Sequence, residues 1–312
     1  MEAYGTYTIS EKLKLSGGKY LTPLSPVNQY FYAPLNPSAS LPMVVSHHFL
    51  LPQSVSGFQV SGEFGETFKL GYNFTYGHYQ SVGHPAAGII GIQGAEDRAV
   101  LQTDVSNVPM EYHLGGCFRV NFNYNDIVNL GLNYFDGRHS TQTVAEFKNF
   151  AFSTFSTKAT RFSSGVDFQL KLNNFKLNSE YWYGEQKTTD LPVQIINEYS
   201  AFYSEMIFET GIFSPYARYD KISDLKATMF APYPDVILFD ANWHTDAYTI
   251  GVGIRPIYEV LLKLEYKYVD AEIDYSNENI PTYLQDQFPP ENPLNVTEDK
   301  YNYYLLSLVL SF

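Results

Sequence analysis

Charged residues that recur at every second position of apolar stretches are the chemistry this sequence offers most openly. Lys263, Glu265 and Lys267 alternate with Leu264 and Tyr266. Glu63, Lys69, Arg119, Asp167, Lys171, Lys176, Glu180, Arg218 and Arg255 stand in similar settings. If the alternation belongs to strands of a barrel, all twelve face a water-filled interior. Rings of charge across such a lumen bias which ions and solutes pass. For any one of them a salt-bridged or solvated wall position is the plainer reading, so only the set carries information. His47 and His48 are adjacent and could serve a metal or a pH gate. Two neighbouring imidazoles rarely hold one ion without further ligands, and none is identifiable. Asp270, Glu272, Asp274, Glu278, Asp286, Glu291, Glu298 and Asp299 gather in one segment. Oxygen-rich loops can take calcium, but the D-x-[DN]-x-[DN]-G pattern is missing and a solvated acidic loop explains them as well. No metal and no cofactor are therefore expected. There is no G-x-S-x-G elbow, phosphate-binding loop, H-E-x-x-H or C-x-x-C. The chain reads as a non-enzyme, although Ser-His pairs could still meet across strands.

The elements that must position these groups are strands. The 312 residues include 27 Tyr and 23 Phe, types that favour strands, and only 17% are charged. Mean hydropathy is nevertheless −0.22. Apolar and polar residues must be finely interleaved, as in a barrel with a lipid face and a wet interior. No apolar run approaches the ~18 residues that a spanning helix needs. The single Cys117 excludes a disulfide framework, and the net charge of −13 argues against a general nucleic-acid footprint. Phe68, Leu70, Tyr72, Phe74 and Tyr76 share one face against Lys69, Gly71, Asn73 and Thr75. Val128, Leu130, Leu132 and Tyr134 repeat the split, as do Val260, Leu262, Leu264, Tyr266 and Tyr268.

The alternation predicts strands over 2–9, 13–21, 56–64, 68–79, 111–122, 127–136, 162–172, 175–184, 199–209, 212–220, 244–255, 259–269 and 301–312, and no helix. Tight turns at 10–12, 65–67, 123–126, 173–174, 211 and 256–258 alternate with long links such as 22–55 and 80–110. That rhythm matches short periplasmic turns and long outer loops. The reading is an all-β antiparallel transmembrane barrel in a single domain over 1–312. It has about 13 strands, of which the first and last run the same way, whereas bacterial barrels have even counts. Strands are therefore expected before residue 1, consistent with an N-terminus that shows no export signal. Segment 22–55 holds six prolines and no Asp, Glu, Lys or Arg. It reads as a loop folded inward as a constriction, with Tyr30, His47 and His48 as its candidate lining, or as a loop packed on a neighbouring subunit.

Glu2-Ala3-Tyr4-Gly5-Thr6-Tyr7, followed by Leu13-Lys14-Leu15-Ser16-Gly17-Gly18-Lys19-Tyr20-Leu21-Thr22-Pro23, resembles the Gram-negative porin pattern E-A-Y-x-x-Y…L-x-L-x-x-G-[RK]-[FY]-L-x-P. Pro26-Val27-Asn28-Gln29-Tyr30 continues that likeness, and Ser214-Pro215-Tyr216-Ala217-Arg218-Tyr219-Asp220, Val260-Leu261-Leu262-Lys263-Leu264-Glu265-Tyr266 and the terminal Leu308-Val309-Leu310-Ser311-Phe312 look like those of the broad group that includes phosphate-selective porins. The resemblance implies an outer-membrane protein of a Gram-negative bacterium. It implies a homotrimer among lipid and lipopolysaccharide, and a full barrel of roughly sixteen strands after about three more. Its function would be passive diffusion of small hydrophilic solutes or ions. With only 20 basic residues, the dense lysine ladder expected of phosphate-selective members is missing. Two other classes fit the same alternation: a non-conducting barrel acting as adhesin or surface anchor, and a soluble carbohydrate-binding β-sandwich. A plugged barrel should fill its inward positions with bulk, whereas many here are Gly, Asn, Ser and Thr. A sandwich should turn its apolar face to a core.

Overall fold

The computed structural model describes residues 3–27, 36–46, 51–52, 54–80, 100–104, 114–147, 150–151, 155–188, 194–232, 235–276 and 297–310. They form strands β1 (Ala3–Ser10), β2 (Leu13–Leu21), β3 (Ser54–Phe64), β4 (Phe68–Gln80), β5 (Val100–Asp104), β6 (Leu114–Tyr124), β7 (Val128–Phe147), β8 (Phe150–Ala151), β9 (Phe155–Leu172), β10 (Phe175–Thr188), β11 (Gln194–Phe208), β12 (Phe213–Pro232), β13 (Asp235–Ile257), β14 (Val260–Ser276) and β15 (Thr297–Leu310). The order across the sheet follows the chain, β1-β2-β3-β4-β6-β7-β9-β10-β11-β12-β13-β14-β15, with the short β5 and β8 pairing only with β7. Every ladder is antiparallel. Among the described residues no ladder joins β1 to β15, and the sheet stays open there. After an even number of antiparallel steps these two edges run the same way, so a ladder directly between them would be parallel.

Tight turns set the register. Asn125 and Asp126 both take positive φ, 51° and 56°. Ile127 N–H donates back to Tyr124 O at 2.9 Å. Two left-handed central residues make a type I′ turn, whose twist suits a two-residue hairpin, and Asn and Asp tolerate that backbone best.

The three apolar rows read from the sequence all point outward. Phe68, Leu70, Phe74 and Tyr76 are exposed on β4, Leu130, Leu132 and Tyr134 on β7, and Leu264 on β14; Tyr304, Leu306 and Leu308 on β15 join them. The opposite face carries the buried charges, among them Arg119, Asp167, Glu180, Arg218, Lys263, Glu265 and Lys267. A soluble sandwich would place these two sets the other way round, because exposed apolar area costs ~25 cal/mol per Å² in water. An outward apolar band around a polar interior is the arrangement of an outer-membrane β-barrel, and the fold is of that class.

Two expectations need correction. The strands outrun the alternation that revealed them: β7 continues to Phe147 rather than 136, and β13 begins at Asp235 rather than 244. Arg138–Gln142 is polar at successive positions. Where neither face meets lipid, the apolar–polar contrast fades while the backbone ladder continues. One helical turn, α1 (Met43–Ser46), also exists within segment 22–55, where no helix was expected.

Candidate functional site

The inner face is organised by three sets of buried polar contacts. On β6, β7 and β9, Arg119 grips Asp167 through both terminal nitrogens, each at 2.8 Å. Asn133 Nδ2 adds a third donor to Asp167 at 2.7 Å. Gly131 stands directly across the ladder from Asp167, and a Cβ there would overlap the carboxylate. A two-pronged guanidinium–carboxylate pair is among the strongest polar contacts a protein makes.

Glu180 lies directly opposite Asp167 on β10. Adjacent carboxylates repel unless each is separately satisfied. Glu180 accepts from Trp182 Nε1 at 2.9 Å, Tyr203 OH at 3.0 Å and Ser25 Oγ at 2.8 Å. The last donor comes from segment 22–55.

The third set is the largest. Arg218 on β12 donates through Nε to Asp220 at 2.8 Å and faces Glu205 at 3.4 Å. Its other nitrogens reach Ser40 O at 3.0 Å and Ser40 Oγ at 2.7 Å. Glu265 on β14 accepts from the N–H groups of Ala39 and Ser40, each at 3.1 Å, from Tyr216 OH at 2.6 Å, and from Ser40 Oγ. Lys263 Nζ donates to Ser38 O at 2.9 Å, and Met43 N–H to Asp220 at 2.8 Å. Lys267 is buried beside them. Three cations and three carboxylates thus meet with the backbone of residues 38–43. Residues 38–43 need no charges of their own here, because the wall supplies them and they answer largely with main-chain groups. Leu24, Val44 and Leu51 pack into one apolar cluster with Trp182, Tyr199 and Tyr203.

The inner wall is uneven. On β9–β13 three large rings face a glycine directly across the ladder, Trp182 with Gly165, Tyr199 with Gly184 and Tyr216 with Gly251, whereas Tyr203 stands across from Glu180. A Cβ at each of those glycines would overlap the ring. This lets bulky side chains lie flat along the wall. The expectation of small inward residues therefore needs correction: it describes the turn-side stretches of β4, β6 and β7, with Gly71, Asn73, Asn121, Gly131 and Asn133, but neither β10–β12 nor the far ends of β4 and β7, where Tyr79 packs on Phe135. Near the tight turns on the less filled side lies a cavity of about 730 Å³, edged by Glu11, Lys14, Glu63, Glu66, Lys69 and Arg119.

The other expected wall residues fall on the same face. Lys69 and Glu63 approach to 3.7 Å, and Lys176 pairs with Glu209 at 2.7 Å. Lys171 is exposed beside the β9–β10 turn. Arg255 donates to Tyr258 O at 2.9 Å. Tyr30, His47, His48 and most of the acidic 270–299 segment lie outside the described residues. Sequence reasoning missed Glu205, Asp220, Tyr216 and Trp182, although all stand at inward positions of recognised alternations. It also missed Arg161, one residue outside an expected strand.

No protein-family model matches the sequence, and no curated protein does. Solved structures do. The chain is similar to outer-membrane expressed OmpT of Vibrio cholerae at 11% identity and a TM-score of 0.55, covering 96% of this chain and 77% of that one. The loop L8 deletion mutant of the same protein gives 12% and 0.54 over 96% and 76%. Its in-vitro folded form gives 12% and 0.53 over 99% and 87%. The shared feature is the outer-membrane barrel fold, which agrees with the outward apolar band. The comparison also corrects the expectation of a non-enzyme. The fold of the OmpT structures is matched here at only 12% identity. Side chains on a barrel wall meet across strands rather than along them, so missing linear motifs give no ground for excluding catalysis.

Proposed function

We propose that the protein is a porin-type passage for small hydrophilic solutes, narrowed on one side by segment 22–55. The observation that carries this reading is the uneven inner wall. One side is filled by rings and by residues 38–43 held on Arg218 and Glu265. The other keeps a charged cavity of about 730 Å³. Steric exclusion at the filled side and electrostatic bias from the charged side would together sort solutes. Segment 22–55 acts as the constriction, and the strand wall supplies the charge. Liposome swelling tests this directly. Vesicles carrying the folded protein should swell in a small neutral sugar and progressively less in larger ones. Swelling no faster than in empty vesicles would refute the reading.

A second reading has one observation in its favour. Trp182, Tyr199 and Tyr203 are fully buried on the inner face, as in a barrel that is packed shut and serves as an adhesin or surface anchor. Such a barrel gives no size-graded swelling.

A further inference from the structure

Among the described residues three arginines are buried on the inner face: Arg119, Arg161 and Arg218. Two of them are held by carboxylates. Arg161 is not. Its Nε and Nη2 find no hydrogen-bond partner among the described residues, although the residue is only 7% exposed. Leaving charged donors buried and unpartnered is costly, and such groups are rare unless something outside the chain satisfies them.

The surroundings of Arg161 are built rather than accidental. Its guanidinium lies over the Phe135 ring, with Cζ 5.7 Å from the centroid. Phe135 is buried and braced edge-on by Tyr79 at 4.8 Å. Gly137 stands directly across the ladder from Arg161, and the Phe135 ring occupies the space a Cβ there would fill. On the other side the cross-strand neighbour is Gln186, which is neutral. The nearest acid on its own inward row is Asp167, six positions along or roughly 20 Å away, and Arg119 already holds it. The aromatic face offsets part of the cation's lost hydration without using its donors.

Nε and Nη2 form one edge of the guanidinium fork. Two parallel N–H groups on that edge match the two oxygens of a carboxylate. We propose that Arg161 is an anion-recognition point on the inner wall, and that it takes the carboxylate group of a small organic acid. This deepens the pore reading by naming a class of solute, and it rests on that reading for transport but not for binding.

The test uses the folded full-length chain in detergent, with sodium acetate as probe and acetamide, chloride and inorganic phosphate as comparisons, read by calorimetry. Acetate should bind saturably at one site, and acetamide and chloride should not. Arg161→Gln should weaken acetate by at least about tenfold, as expected for loss of a charge-assisted pair. Arg161→Lys keeps the charge without the fork and should fall between the two. If Arg161→Gln does not fold, Arg161→Lys carries the comparison alone. Acetate binding that is absent, or unchanged in both variants, overturns the proposal. Phosphate binding as tightly as acetate overturns the choice of a planar carboxylate. A protein that binds acetate but fails in sugar-driven swelling keeps the site and loses the pore.

Discussion

Removing the Glu265 carboxylate should release segment 22–55 without unfolding the barrel. Glu265 accepts from Ala39 N–H, Ser40 N–H, Ser40 Oγ and Tyr216 OH. Three of these tie the segment to β14. Each bond to a charged acceptor contributes about 1.5–3 kcal/mol, but the freed amides regain water, so the sum overstates the effect. Removing one member of a buried ion cluster costs about 3–5 kcal/mol. Ser38 O on Lys263 and Met43 N–H on Asp220 remain as anchors. A loss of about 3 kcal/mol in docking is therefore expected for Glu265→Ala, or roughly two powers of ten in the undocked fraction. Limited proteolysis of the folded protein in detergent measures this without assuming a pore. New cleavage should appear within residues 36–46, while the barrel keeps its folded mobility in an unheated gel. In a planar bilayer the same variant should show larger, noisier current steps. A Glu265→Ala protein that resists protease like the wild type and conducts identically would refute the latch.

Gly165→Val forces a side chain into the space taken by the Trp182 indole. Overpacking there should cost about 1–3 kcal/mol, read by urea unfolding from vesicles. Gly5→Val, where a Cβ meets nothing within 4 Å, is the matched control and should change little. Leu264→Lys places a charge on the outward apolar row of β14, where Leu264 is 42% exposed. It should cost about 2–4 kcal/mol if that row meets the bilayer core. Folding into lipid vesicles should fall accordingly, whereas Lys263→Leu on the inward row should fold into lipid but loosen Ser38.

The barrel was legible because its signal is local. Phe68 to Tyr76 and Val260 to Tyr268 alternate within one strand, and no knowledge of the partner strand is needed to see which residues share a face. The charge-free segment 22–55 was legible by composition alone. What escaped the sequence is what depends on pairing between strands. The tight turn at 173–174 already sets Gly165 opposite Trp182, but Gly131 and Asp167 sit on strands joined by a long link, and nothing along the chain says that they stand opposite each other. The same holds for Arg119 and Asp167, two strands apart, where the register across that link decides which carboxylate takes the guanidinium. Glu265 and Arg218 were recognised as wall charges, but their partners are the main chain of Ala39, Ser40 and Leu41, and backbone groups leave no trace in residue types. Arg161 was missed because β9 extends into residues polar on both faces, where alternation stops marking a strand.

Current through a planar bilayer tests the central claim most directly. The folded full-length protein should insert in discrete steps with a linear current–voltage relation, and Glu265→Ala should enlarge each step. Protein that is demonstrably folded and inserted in lipid, yet gives no steps above the bare bilayer, would contradict a solute passage and leave the packed barrel as the better account.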